Sequence, residues 1–145
     1  MAAISGITNG ESMSTVRTKL NSVITEINLL DPTDWVDYSA TSTIVGWSSF
    51  TLKIIRYRVI GKIVFVSVNL SGPSNSATTS FTLPFQNKNI ESLNMGYAIN
   101  NGVTVIGSFD VVANSSTCNL YQNYGSTWTA SGTKLLYGQF FYEIA

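Results

Sequence analysis

The sequence predicts a mainly β protein with one N-terminal α-helix, and three observations carry that expectation. Between Met13 and Leu30 apolar residues recur at helical spacing. Beyond Pro32 the period changes to two and Gly, Pro, Asn and Ser punctuate short runs. Aromatic residues make up 12% of the 145-residue chain and β-branched residues are abundant, as strands require. The length suits one domain plus an appendage. The composition shift places the boundary between residues 1–31, a helical segment, and residues 32–145, a β-rich head.

In the first segment the apolar positions are Met13, Val16, Leu20, Val23, Ile27 and Leu30. Their spacing alternates three and four without a break, which is an a/d heptad seam. Asn9 or Ser12 can cap the start, and Pro32 stops the pattern. The neighbouring positions are nearly all polar, and only Ile24 widens the stripe. A helix that packs on its own domain usually shows a broader apolar face. The narrow seam therefore predicts a short parallel coiled coil between identical chains. Valine at the d positions departs from the Ile-a/Leu-d pattern of dimers and favours three or more strands.

The β-region begins with Trp35. Residues 53–60 and 62–70 alternate about Gly61 and read as a hairpin. Residues 80–83 form a short strand ending at Pro84. A second hairpin joins residues 97–99 to 103–111 through Asn100-Asn101-Gly102. Residues 116–121 and 134–144 complete seven or eight strands. That number, with frequent turns, predicts an antiparallel β-sandwich or jelly roll. Several strands are apolar on their second face as well, which suits a subunit that buries surface against neighbours.

Composition excludes several functions. Lys+Arg and Asp+Glu both number 8, so the chain is neutral and poorly suited to nucleic acid, whose binding rests on neutralised phosphates. There is no histidine, which removes the commonest general base and most zinc sites. The single cysteine, Cys118, reads as a small buried hydrophobe. No apolar run is long enough to insert in a membrane. The N-terminus lacks the basic and apolar regions of a signal peptide, so the sequons at Asn69 and Asn114 carry no weight. The sparse carboxylates, Asp110 and Glu143 included, read as isolated surface groups rather than a catalytic pair. No cofactor, metal site or enzymatic activity is expected. The basic residues Lys53, Arg56, Arg58 and Lys62 fall on one hairpin and read as the guarded solvent face of an edge. The segment from Tyr121 to Trp128 is the best candidate for surface recognition: Tyr121, Asn123, Tyr124 and Trp128 offer aromatic faces and an amide suited to a glycan.

The residues ITNGESMSTVRTKLNSVITEIN, from Ile7 to Asn28, resemble the short helical segment near the N-terminus of tailed-bacteriophage fibre and virion-appendage proteins. The stretch from Trp35 through Val45 to Phe85, with Thr129 to Glu143, is similar to β-domains at the ends of such proteins. The resemblance implies a homotrimer of the virion, assembled in the host cytoplasm. Its helical segment would attach to another virion protein, and its head would contact host-surface glycans. A stem and head without a repetitive shaft suit a head fibre or a tail-fibre tip. The alternative reading is a monomeric carbohydrate-binding module whose helix packs on its own sheet.

Overall fold

The computed structural model describes residues 9–30, 34–88 and 91–144, with the side chains of 26–30 excluded. The side chains of Ile27 and Leu30 and the boundary between residues 31 and 32 thus lie outside what is described.

Helix α1 (Met13–Leu30) has the predicted limits. Ser12 is its cap: the hydroxyl accepts from Thr15 N at 3.2 Å and the carbonyl from Val16 N at 3.0 Å. Lys19 folds back to form an ion pair with Glu11. The strands are β1 (Val36–Asp37), β2 (Ile44–Val45), β3 (Leu52–Ile60), β4 (Ile63–Pro73), β5 (Ser80–Thr82), β6 (Ser92–Asn100), β7 (Val103–Val111), β8 (Thr117–Gln122) and β9 (Thr133–Glu143). Both predicted hairpins form. Gly61 turns β3 into β4 at φ 59°, and Asn101 and Gly102 turn β6 into β7 at φ 50° and 83°. Positive φ at both turn residues is what a two-residue turn matching strand twist demands.

The described strands make a single antiparallel sheet in the order β1-β3-β4-β9-β6-β7-β8-β5-β2, where the strand count and turns predict a β-sandwich or jelly roll. The sheet is curled. Its edge strands β1 and β2 are joined by residues 38–43 alone, a span of at most about 20 Å, so the two edges approach each other. Tyr38 donates to Leu83 O at 3.1 Å and Ser42 to Thr82 O at 3.1 Å, stitching the link to the far edge.

Curling gives the sheet an inside and an outside. Val64, Val66, Val68 and Leu70 of β4 face inward, as do Leu136, Phe140 and Tyr142 of β9. Phe109 of β7 stacks on Phe140 at 5.0 Å, and Phe81 of β5 reaches Phe140 from across the interior at 6.3 Å. Cys118 is buried in this core, as expected. Space for Phe109 comes from Gly96 and Gly138: a Cβ on either would meet its ring at 2.7 or 2.8 Å.

None of the helix's described side chains takes part in this core. Among the described residues no strand makes more than marginal contact with it. On its predicted seam Met13 is 78% and Leu20 48% exposed, while Val16 and Val23 are half-buried.

Candidate functional site on the outer sheet face and tip loops

The outer face is built by the residues that alternate with the core. On β4 these are Ile63, Phe65, Ser67, Asn69 and Ser71, and on β9 Leu135, Tyr137, Gln139, Phe141 and Glu143. On β6 they are Leu93, Met95, Tyr97 and Ile99. Much of this surface is apolar and open. Phe141 is 57% and Met95 58% exposed, with Leu93, Tyr97, Ile106 and Tyr137 also exposed. Tyr97 and Tyr137 are ladder partners with rings 4.9 Å apart, and Phe65 lies 6.0 Å from Phe141. Monomeric proteins rarely leave a contiguous apolar patch beyond a few hundred Å².

Within this face lies an open cleft of about 200 Å³, lined by Ile54, Arg56, Ser67, Asn69, Tyr137 and Gln139 with backbone from Val68 and Gly138. The register explains it. Arg56, Ser67 and Gln139 form one rung across β3, β4 and β9, and Ile54, Asn69 and Tyr137 the next. The central strand supplies the two short side chains, so each rung dips in the middle. Its legible signal was Ser67 and Asn69, two small polar residues on a strand face that starts Ile63, Phe65. Sequence reasoning misses it because it weighs residue types along the chain, whereas the cleft exists only across three strands.

The basic hairpin is not simply a solvated edge. The guanidinium of Arg56 lies 5.8 Å from the Trp35 ring, and that of Arg58 sits between Trp35 and Phe65 at 5.5 and 5.6 Å. The two-residue β1 covers part of β3. Asp37 of β1 accepts from Ser39 N at 2.9 Å, and this hydrogen bonding, with help from Arg56, holds its carboxyl below the usual range.

The predicted Tyr121–Trp128 segment splits into two environments. Tyr124 is exposed and Asn123 turns outward with it, both at positive φ (65° and 47°). Asn123 is anchored by its N–H to Ile106 O at 2.8 Å. Tyr121 is half-buried on β8. Trp128 is a correction: it is only 3% exposed, and its Nε1 donates to Leu120 O at 3.0 Å. Its ring is spent in the core, because the loop folds back over the sheet end rather than standing away from it.

Beneath that loop Lys134 is 1% exposed and has no carboxylate partner among the described residues. Its Nζ donates to Ser76 O at 2.7 Å and Thr79 Oγ1 at 2.9 Å, between the rings of Trp47 and Trp128 at 5.2 and 5.6 Å. Burial lowers its pKa to about 8. Asp110 and Glu143 sit on β7 and β9 with β6 between them. Asp110 accepts from Asn119 Nδ2 at 3.4 Å, and Glu143 from Lys88 Nζ at 2.7 Å. Among the described residues no three His, Cys, Asp or Glu side chains gather as metal ligands, and no helix is long and apolar enough to cross a membrane.

No family model and no curated protein matches the chain. Among solved structures it is similar to the reovirus attachment protein sigma1, whose structure is a complex with alpha-2,3-sialyllactose. Identity is 13% and the TM-score 0.45, with 70% of this chain and 66% of that chain covered, just under two thirds of the latter.

Proposed function

We propose that this chain is a non-enzymatic structural protein of a phage virion, a homotrimeric head fibre or tail-fibre tip. In this reading α1 trimerises, the segment before it docks on another virion protein, and the β-head adheres to host-surface glycans. The observation that carries it is the exposed seam of α1. A helix of this length is marginal alone in water, and among the described residues of its own chain Met13 and Leu20 remain exposed, with no strand packed on the helix to more than a marginal extent. The exposed apolar residues of β6 and β7, Leu93, Met95 and Ile106, which lie to one side of the cleft, pose the same problem on a second surface. Copies of the chain related by cyclic symmetry satisfy both at once. The sequence resemblance to fibre proteins supplies the biological setting, and the neutral surface of hydroxyls and amides suits saccharide contact.

Light scattering on a sizing column tests this directly. A trimer gives about 47 kDa, three times the chain mass of 15.8 kDa. A mass near one chain at micromolar concentration would remove the trimer and leave the monomeric binding module as the better reading.

A further inference from the structure

We infer that the cleft on the outer sheet face is a binding site for a single carboxylate-bearing sugar ring, with Arg56 receiving the carboxylate. The inference rests on the adhesion reading above but concerns a site distinct from the Tyr121–Trp128 loop.

Three observations carry it. First, the polar side chains that line the cleft are not engaged by the fold. Among the described residues none of Arg56, Ser67, Asn69, Tyr137 and Gln139 makes a side-chain hydrogen bond, and the Asn69 amide oxygen is buried there without a donor. Elsewhere polar side chains are used: Asn100 bonds to Gln122 and Thr129, and Gln122 to Thr127 O. Second, the chemistry is mixed in the way a pyranose needs. Tyr137 offers a ring for the C–H face, Ser67, Asn69 and Gln139 offer donors and acceptors for hydroxyls, and Phe65 with Phe141 forms the adjoining rung. Third, the charge is one-sided. Arg56 has no carboxylate within ion-pair distance among the described residues, since the ion pairs are Lys19–Glu11 and Lys88–Glu143. Asp37 faces it across the ladder but is bound to Ser39. The stacking of Arg56 on Trp35 presets the guanidinium beside the cleft. A free planar fork of donors matches a carboxylate in two parallel hydrogen bonds. At about 200 Å³ the cleft is smaller than the sites of drug-sized ligands and takes one ring, not an extended chain.

A matched pair of probes isolates the carboxylate: methyl β-glucuronoside and methyl β-glucoside, which differ only at the C6 carboxylate. Amide chemical-shift titration of the full chain at low salt should show millimolar binding of the glucuronoside, with shifts at Ser67, Asn69 and Gln139. The glucoside should bind at least tenfold more weakly. Arg56→Gln should erase the difference between the two, while Arg58→Gln, one rung outside the cleft, should preserve it. Ser67→Leu fills the cleft and should abolish both, with the thermal transition of the head retained. Equal affinity for the two probes, or equal loss in Arg56→Gln and Arg58→Gln, would overturn the assignment. Host-cell adhesion of the wild type is measured alongside. If cells are bound and Ser67→Leu binds them equally, the cleft is wrong and adhesion stands. If the wild type binds no cells, the adhesion reading itself fails.

Discussion

At Lys134 a charge is held where water cannot reach it, and the compensation is two carbonyl or hydroxyl acceptors and two indole faces. Its folded pKa of about 8 lies below the 10.5 of a free lysine. Between those values the unfolded chain binds more protons than the folded one, so stability rises with pH there, by up to about 1.4 kcal/mol per pH unit. Buried Cys118 and Tyr142 have raised pKa values and act oppositely, because the unfolded thiol and phenol ionise first. Comparison with Lys134→Met isolates the lysine. From pH 7.5 to 9 the wild type should gain stability relative to that variant in urea denaturation, and a difference independent of pH would refute the argument. Glycine makes the other residue-scale prediction. A Cβ at Gly96 would stand 2.6 Å from Tyr137 O and 2.7 Å from the Phe109 ring. Gly96→Ala should therefore cost about 1–3 kcal/mol, typical of overpacking, rather than gain from reduced chain entropy. Chemical denaturation decides the sign.

At the scale of elements, α1 and the two hairpins were legible in the sequence because their determinants are local. The heptad spacing, the Ser12 cap, Gly61 and Asn101-Gly102 each act within a few residues. Most strand limits were within a residue or two for the same reason. The exceptions are instructive. Strand β6 begins at Ser92, well before the Tyr97 expected: Leu93, Met95 and Tyr97 alternate with Ser92, Asn94 and Gly96, but the apolar residues face outward and the small or polar ones inward, so the pattern does not mark a buried apolar face. Strands β1 and β2 have two residues each, too few for any period. Trp128 looked like a recognition residue because a loop pattern does not reveal which way the loop folds. For α1 the seam has a direct consequence. Leu20 is half-exposed and among the described residues touches no core, so Leu20→Ala should raise the concentration at which trimers dissociate while leaving the melting of the dissociated chain unchanged. A variant fully assembled at low micromolar concentration, by light scattering, would count against the seam.

For the whole molecule the proposed self-association predicts that melting depends on concentration. The temperature of the transition should rise with chain concentration, since assembly stabilises only the folded form. Calorimetry over a hundredfold dilution series would show a constant value if the chain is a monomer. The sequence by itself determined a neutral, histidine-free, mainly β chain with one seam-bearing helix, because composition and short-range period depend on nothing beyond neighbouring residues. Tertiary structure decided how the strands share one sheet. The pairings of β4 and β6 with β9, and of β2 with β5, join residues far apart in the chain, and no local pattern encodes them. It also decided the site. Arg56, Ser67 and Gln139 come from three strands and meet only when the ladder brings one residue of each onto a common rung. A side chain's chemistry is written in the sequence, but its neighbours are set by the long-range register that buries the core.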